Sequence, residues 1–274
     1  MLTKHITVDG IDLFYVEVNE PATQTIFFIH GNSGSHKTWK LQLNDPELAQ
    51  YRLIAFDLPG HGNSSFSHNP AVNYSPLGTA AILAKAIKSL ITKGEYILVG
   101  FSYGTNLIGE MINEGLQPDG IITIGMCCIG EEFGMDKVFK QTDQPSIFFY
   151  NEDNIEKIQN FLRQTVNDNS IKDVSDDYLM VDKNFRPSLM QAAAEGKISD
   201  EIVALKKMNI AVCLILGLQD NLVNIDYLDG ADFPLWKGQI NKFEGGHFIH
   251  LDAPQKVNNL IVQYAKERFT PIHV

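Results

Sequence analysis

The stretch Gly100-Phe101-Ser102-Tyr103-Gly104 decides the fold, because it joins an apolar strand to a helix. Before it, Tyr96-Ile97-Leu98-Val99 has the apolar character of a buried strand, and residues 106–112 continue as a helix. A serine on so sharp a turn presents its hydroxyl at the carboxyl end of the strand, and the two glycines leave room for the crowded backbone. The pattern therefore predicts an exposed serine hydroxyl that can take part in chemistry.

Composition limits the classes of protein to which the chain can belong. Its 274 residues carry a formal net charge of −11, which argues against binding to nucleic acid or to an anionic membrane surface. No apolar stretch approaches the roughly 20 residues of a membrane span, and the first ten residues lack a signal-peptide core. Three cysteines, two of them adjacent, do not form a disulfide framework. We therefore expect a cytoplasmic protein, monomeric or homodimeric, whose partner is a small molecule.

Strand-like and helix-like segments alternate through most of the chain. The residues around Asp9-Gly10 predict an antiparallel hairpin. A helical pattern covers 77–93. Short all-apolar runs, typical of parallel strands buried on both faces, occur at 26–29, 53–56, 97–99, 121–124 and 212–216. This alternation predicts a doubly wound, mostly parallel α/β sheet.

The stretch 126–207 departs from this alternation. Its one run resembling a buried strand is the short Ile147-Phe148-Phe149. Helical patterns cover 151–167 and 187–196. An insertion of about 80 residues between two sheet strands predicts a helical cap over the carboxyl edge of the sheet. We expect a core made of 1–125 and 208–274, with 126–207 as the cap; a helical subdomain without a role in binding is the alternative.

Two residues later in the chain are candidates to activate the serine. A serine hydroxyl is a poor nucleophile at neutral pH and needs a neighbouring base that a carboxylate orients. In doubly wound folds with this turn, the partners follow in the order Asp or Glu, then His. Asp220 directly follows the 212–216 strand, and His247 follows a predicted last strand over 239–243. The sequence predicts a catalytic triad of Ser102, Asp220 and His247.

Each partner of the serine has a rival. Asp220 could instead cap the next turn. Acids that do not directly end a buried strand are weaker candidates, namely Asp226, Asp229 and Asp232. His250 is the rival base, but Asp252 and Gln255 have the spacing of a capping box, which assigns His250 to the turn before the last helix. His247 is therefore the preferred base.

Two backbone amides are candidates for the oxyanion hole of an acyl-transfer reaction. One donor is expected from the residue after the nucleophile, Tyr103. The other is expected from the loop after an early strand, where we choose the amide of Asn32. His30 lies in the same loop, and its ring is expected to hydrogen-bond the loop backbone. His61 is expected to be a structural group of another turn.

Taken together and in order, these motifs resemble those of the α/β-hydrolases. They are His30-Gly31-Asn32, residues 57–64, residues 100–104, Asp220 and Gly246-His247. The resemblance implies Ser102 as nucleophile, His247 as general base and then acid, and Asp220 as the orienting acid. It implies Asn32 and Tyr103 as oxyanion donors. The leading hypothesis is a cofactor-free and metal-free serine hydrolase that cleaves a small carboxylic ester or lactone through an acyl-enzyme.

A narrower resemblance is to the N-acyl-homoserine lactonase branch. Residues 29–35 and 235–238 resemble that branch, whereas Thr105 stands where many relatives have a further glycine. Met126, just after the sixth strand, and Phe248, next to the predicted base, are expected to contact the substrate.

Other chemistries with the same triad remain open. Carbon–carbon bond hydrolases, thioesterases and cofactor-free haloperoxidases share it. A prolyl-type aminopeptidase would need cap carboxylates, for which Glu131, Glu132 and Asp136 are candidates. A receptor with slow turnover is the alternative outside enzymes. Epoxide hydrolases and haloalkane dehalogenases are disfavoured because their nucleophile is an aspartate. Cys127 and Cys128 are expected either to line the pocket or to be buried packing residues.

Overall fold

One eight-stranded sheet forms the centre of the computed structural model, which describes residues 1–91, 94–141 and 146–270. The strands are β1 (Leu2–Val8), β2 (Ile11–Val18), β3 (Thr25–Ile29), β4 (Arg52–Phe56), β5 (Tyr96–Phe101), β6 (Gly120–Ile124), β7 (Cys213–Gly217) and β8 (Asn241–Phe243). Their order is β1-β2-β4-β3-β5-β6-β7-β8, with β2 antiparallel to both neighbours and all other pairs parallel. The predicted hairpin and the mostly parallel sheet are confirmed.

Helices connect the parallel strands. The α-helices of the described residues are α1 (Lys40–Leu43), α2 (Pro70–Asn73), α3 (Pro76–Leu90), α4 (Tyr103–Asn113), α5 (Met135–Val138), α6 (Ile155–Leu162), α7 (Ile171–Met180), α8 (Phe185–Ala194), α9 (Glu201–Lys207), α10 (Ile249–Asp252) and α11 (Pro254–Arg268). The helices predicted over 77–93 and 187–196 appear as α3 and α8; residues 92 and 93 lie outside the described part. The helix predicted over 151–167 is shorter and appears as α6.

The short apolar run Ile147–Phe149 is a 3-10 helix and not a strand. The hydroxyl of Ser146 accepts the amide of Phe148 at its start, which is a helix-cap contact. Apolar character alone therefore misrepresented this segment, because a short apolar run does not distinguish a strand from a buried helical turn.

The sheet is buried on both faces because its strands are apolar at consecutive positions. Successive side chains of a strand point to opposite faces. In β3, Phe27 and Ile29 pack with Leu83 of α3 and other residues on one face. Ile26 and Phe28 pack on the other face with the layer that contains α1 and α11. This two-sided burial explains why these strands read as apolar runs and not as alternating patterns.

Helices α5 to α9 lie between β6 and β7 in the chain. The last of them, α9, packs on α4, where a Cβ at Gly109 would lie 2.6 Å from the Cβ of Glu201. This close approach places α9 in the helix layer beside the sheet. The division into a core and a cap at residue 207 stays a prediction. Within the described residues, no helix has the length and apolar character needed to cross a membrane.

The parallel strands bring four loops to one edge. β3, β5, β7 and β8 run in the same direction, so the residues that follow them meet at the carboxyl edge of the sheet. The four predicted contributors there are Asn32, Ser102, Asp220 and His247.

Candidate active site

Ser102 occupies a sharp turn between β5 and α4. Its backbone has φ of 50° and ψ of −122°, a conformation that is unfavourable for a residue with a Cβ. Its amide donates to the carbonyl oxygen of Ile124 at 2.9 Å, which ties the turn to the end of β6. The surrounding strands therefore fix the backbone of Ser102 in a conformation that it would not adopt alone.

The glycines on either side of Ser102 are required by close contacts. A Cβ at Gly100 would lie 2.7 Å from the carbonyl oxygen of Gly104. A Cβ at Gly104 would lie 2.3 Å from the carbonyl oxygen of Ile29. Real side chains do not approach backbone oxygens so closely, so glycine allows β3, β5 and α4 to meet around the serine.

Thr105 joins the turn to the segment after β6. Its Oγ1 donates to the carbonyl oxygen of Ser102 at 2.7 Å and accepts the amide of Cys127 at 3.2 Å. The larger side chain is therefore accommodated by hydrogen bonds within this corner and is not simply added bulk.

Ser102, Asp220 and His247 come together although they are far apart in sequence. The Nε2 atom of His247 lies 2.9 Å from Oγ of Ser102, and its Nδ1 lies 2.7 Å from Oδ2 of Asp220. Both distances allow hydrogen bonds. A neutral imidazole with its proton on Nδ1 can donate to the carboxylate and accept the serine proton on Nε2. The arrangement can therefore activate the serine hydroxyl.

The carboxylate of Asp220 is fully buried, and protein donors hydrogen-bond both of its oxygens. Its Oδ1 accepts the amides of Leu222 at 2.8 Å and Val223 at 2.9 Å. Burial raises the pKa of Asp220, but the neighbouring His247 and these two amides outweigh it and lower the pKa below its ordinary value. Asp220 is thus ionised at neutral pH and can orient the imidazole.

His250 does not reach the serine and is a core residue. It is fully buried, its Nε2 lies 2.7 Å from Oγ1 of Thr38, and its ring centre lies 4.4 Å from that of Phe101. Burial lowers the pKa of His250 to about 3, so it stays neutral. The structure therefore supports the preference for His247.

The predicted capping box of Asp252 and Gln255 is wrong. Helix α11 begins after Ala253 without a side-chain cap. Asp252 instead accepts the amide of Gly246 at 2.7 Å, and so it fixes the loop that carries His247. Nothing in the local spacing signals this contact, because the same acid-to-glutamine spacing serves as a helix start in other chains.

Asn32 and Tyr103 border the same cavity as Ser102. The loop of Asn32 is close to the serine, since a Cβ at the preceding Gly31 would lie 3.0 Å from Cβ of Ser102. Within the described residues, neither the amide of Asn32 nor that of Tyr103 donates a hydrogen bond. The two amides are thus placed beside the hydroxyl and available to another acceptor.

His30 and His61 are buried structural groups of these loops. Nδ1 of His30 lies 2.7 Å from the carbonyl oxygen of Gly31, and its Nε2 accepts the amide of Leu58 at 3.0 Å. Burial lowers the pKa of His30 to about 4. Nε2 of His61 accepts the amide of Ser33 at 3.2 Å. Both rings bind loop backbone, as expected from the sequence.

A cavity of about 940 Å³ opens in front of Ser102 and His247. Its aromatic and aliphatic lining includes Phe139, Phe148, Phe149, Phe161, Leu189 and Phe248. Phe248 lines the cavity, in agreement with its expected place beside the substrate. Met126 does not line the cavity. It is fully buried in the core, and its sulfur accepts a hydrogen bond from the hydroxyl of Thr123 at 3.5 Å. The structure does not support the expected contact of Met126 with substrate.

A polar group that the sequence reasoning missed lies in the cavity wall. Glu201 is fully buried there, and its Oε2 accepts the side chain of Asn106 at 2.7 Å and the amide of Ile129 at 2.9 Å. Burial raises the pKa of Glu201 well above its ordinary value, although these two donors act in the opposite direction. In the sequence, Asp200-Glu201 has the pattern of an exposed helix start, so no local signal identified this buried carboxyl.

The two cysteines and three acidic residues named as pocket candidates differ in whether they line the cavity. Cys127 lines the cavity yet is nearly inaccessible, and burial raises the pKa of its thiol to about 12. Cys128 is fully buried. Asp136, Glu131 and Glu132 are all exposed, and of the three only Asp136 lines the cavity. In the ranges 1–91, 94–141 and 146–270, no three His, Cys, Asp or Glu side chains are grouped so as to hold a metal ion.

Similar proteins place this architecture in a family. An uncharacterized hydrolase of Bacillus subtilis, YugF, is 25% identical over 280 residues, covering 96% of this chain and 97% of its own. The N-acyl homoserine lactonase AidH, complexed with N-butanoyl homoserine, has a TM-score of 0.90 at 20% identity, with both chains fully covered. The esterase RhEst1 from Rhodococcus has a TM-score of 0.81 at 21% identity, covering 98% of this chain and all of its own. Residues 26–260 match the family model of the alpha/beta hydrolases, and the chain therefore belongs to the alpha/beta hydrolase family.

Proposed function

We propose that this protein is a serine hydrolase that cleaves small carboxylic esters or lactones through an acyl-enzyme and without a cofactor. The observation that carries the proposal is the continuous hydrogen-bonded series from Asp220 through His247 to Ser102, which ends at a large and mostly apolar cavity. A buried acid, a base and an exposed hydroxyl in this order are what nucleophilic acyl transfer requires.

The mechanism follows from the contacts. Ser102 attacks the substrate carbonyl carbon while its proton passes to Nε2 of His247. The amides of Asn32 and Tyr103 bind the oxyanion that forms, an interaction typically worth about 3 kcal/mol of barrier per donor. Protonated His247 then gives its proton to the leaving alkoxide. Water activated by the same histidine attacks the acyl-enzyme and releases the acid.

The cavity lining favours a substrate with an apolar acyl portion. Aromatic and aliphatic side chains form the larger part of the wall, and burying an apolar chain against them contributes roughly 0.8 kcal/mol per methylene. Polar side chains, among them Glu201, Asn106 and Asp136, stand between the apolar ones, and such a mixture can fix the orientation of a ligand. This composition agrees with an ester or lactone that carries both a chain and a polar group.

An N-acyl homoserine lactone is the specific substrate that we propose first. The likeness to AidH over the full length of both chains supports it, together with the resemblance of residues 29–35 and 235–238 to that branch. Hydrolysis would open the lactone ring, so that the ring oxygen becomes the leaving alkoxide and stays attached to the product.

The test compares purified protein with a Ser102→Ala variant. The substrates are p-nitrophenyl esters and N-acyl homoserine lactones of graded chain length. We expect steady turnover by the parent chain and at least a 10³-fold loss in Ser102→Ala. Ser89→Ala, which removes an exposed hydroxyl from α3, is the matched control and should retain full activity.

Three outcomes would change the conclusion. Full activity in Ser102→Ala overturns the serine mechanism. Turnover of esters but of no lactone overturns the lactone substrate alone. A stoichiometric burst of nitrophenol without further turnover identifies a slow receptor in place of an enzyme.

A further inference from the structure

Arg186 at the start of α8 is a buried guanidinium that the mechanism above does not use. Its residue is 3% exposed, and it does not line the substrate cavity. Burial lowers its pKa to about 10, so it carries its charge at neutral pH. Long cationic side chains are rarely buried to this extent unless they are paired. The reason for its burial must lie in its partners.

Those partners are neutral, and the main one belongs to the loop after β3. Nε and Nη2 of Arg186 both donate to Oγ of Ser33, at 3.0 and 2.8 Å. Nη2 also donates to the carbonyl oxygen of Tyr178 at 2.8 Å, and Nη1 donates to Oδ1 of Asn151 at 3.0 Å. The guanidinium carbon lies 3.7 Å from the centre of the Tyr178 ring. In the described residues, its hydrogen-bond partners include no carboxylate.

Ser33 transmits this contact to Asn32. The Oγ of Ser33 donates to Oδ1 of Asn32 at 2.6 Å, and Nδ2 of Asn32 donates to the carbonyl oxygen of Phe148 at 2.7 Å. Ser33 itself has a φ of 64°, in the left-handed region, so the loop needs outside contacts to hold this shape. One series of hydrogen bonds thus runs from Arg186 through Ser33 to the residue whose amide is the proposed oxyanion donor.

We propose that Arg186 is a positioning residue, which aims the amide of Asn32 at the oxyanion by fixing Ser33. The inference rests on the proposed function, because it concerns the same oxyanion. Arg186 belongs to the segment between β6 and β7 and does not line the substrate cavity, yet its loss should lower the rate of the reaction. Misplacement of a donor by about 1 Å is enough to cost roughly 100-fold in rate.

The geometry favours arginine over lysine for this task. Nε and Nη2 of one planar group converge on the same hydroxyl oxygen, while Nη2 also reaches the carbonyl oxygen of Tyr178 and Nη1 reaches Asn151. A lysine ammonium keeps the charge but cannot make this set of contacts from one position. Charge alone should therefore restore only part of the lost rate.

The experiment measures kcat, KM and thermal stability for Arg186→Met, Arg186→Lys and Ser33→Ala on a p-nitrophenyl ester. We expect kcat to fall between about 10-fold and 100-fold in Arg186→Met while KM changes less than about 3-fold. Arg186→Lys should be intermediate. In the double variant with Ser33→Ala, the losses should be less than additive, because both changes break one series of contacts.

Two control variants separate positioning from stability. Arg52→Met removes a mostly buried guanidinium that pairs with Glu17 at the amino-terminal end of β4, on the edge of the sheet opposite the carboxyl edge that carries Ser102. It should lower the unfolding temperature and leave kcat unchanged in the folded protein. Lys85→Met removes an exposed cation of α3 that pairs with Asp9 away from the cavity and should change neither quantity.

The outcomes are distinct. An unchanged kcat in folded Arg186→Met overturns the inference even if stability falls. Fully additive losses with Ser33→Ala overturn the route through Ser33. If Ser102→Ala itself remains active, the proposed function fails first, and that result is independent of any change at Arg186.

Discussion

Thr105 and Cys127 are joined by a hydrogen bond of 3.2 Å from the Cys127 amide to the Thr105 hydroxyl, which in turn donates to the carbonyl oxygen of Ser102. The first turn of α4 and the segment after β6 are therefore linked directly behind the serine. Thr105 thus connects two parts of the site in addition to packing at the start of the helix.

Thr105→Val tests this link, because valine keeps the shape and loses the hydroxyl. The buried amide of Cys127 would lose its acceptor, and the free energy of unfolding should fall by about 1–3 kcal/mol. Urea denaturation measures the change. Thr105→Ser, which keeps the hydroxyl, should lose clearly less stability; equal losses in the two variants would show that the hydrogen bond is unimportant.

Asp220→Asn should leave the fold intact and reduce kcat by about 10⁴-fold. The amide cannot orient and stabilise a protonated His247 as the buried carboxylate does. Steady-state kinetics on a p-nitrophenyl ester measure the loss. Asp226→Asn changes an exposed carboxylate six residues away and should have no effect on kcat. A loss below about 10-fold in Asp220→Asn would contradict the assigned role.

His250 should make stability depend on pH in mildly acidic solution. Its pKa is lowered to about 3 in the folded protein, whereas an unfolded chain has a histidine pKa of about 6.5. Between these values the unfolded state binds one more proton, so the stabilising contribution is complete above pH 6.5 and is lost as pH falls towards 3. The slope from this residue is about 1.4 kcal/mol per pH unit.

His250→Gln should therefore flatten the pH dependence of the unfolding free energy between about pH 4 and 6, whatever its effect on stability at pH 7. Urea midpoints at several pH values measure the slope. His68→Gln, at an exposed position, should keep the parent slope. An unchanged slope in His250→Gln would mean that the ring does not stay neutral in the folded state.

Ala193→Phe should shift the chain-length preference towards shorter acyl groups. Ala193 borders the cavity from α8, so a phenyl group there reduces the space for an apolar chain. The neighbouring Ala194 is exposed and does not border the cavity, and Ala194→Phe is the matched control. The ratio of kcat/KM for short and long p-nitrophenyl esters measures the shift. Equal ratios in the two variants would place the acyl chain elsewhere.

The sheet was predictable from sequence because its strands are buried on both faces. The apolar runs mark β3 to β7, and the turn at Ser102 gives the direction of the carboxyl edge. Asp220 and His247 could be chosen because each directly follows a strand, and parallel strands bring such positions to one edge. Order along the chain and strand direction were therefore sufficient to select three residues that the fold brings into contact.

Other parts of the site depend on contacts between distant segments and carry no local signal. Met126 follows a strand as Asp220 does, yet its side chain turns into the core. Asp252 has the spacing of a helix cap but binds the loop of His247. Arg186 and Ser33 are 153 residues apart, and nothing near either residue indicates that they meet. Such pairs are determined by tertiary packing and not by local propensity.

The register of β6 and β7 has a consequence for how such a protein can diversify. The two strands are parallel neighbours, so the chain leaves the sheet after Ile124 at its carboxyl edge and re-enters at Cys213, at the amino-terminal end of the adjacent strand. The entropic cost of closing the chain segment between the two strands grows only logarithmically with the length of that segment. New pocket shapes can therefore arise by changing the length of this segment, provided that the side chains that contact the core, such as Arg186 and Glu201, are retained.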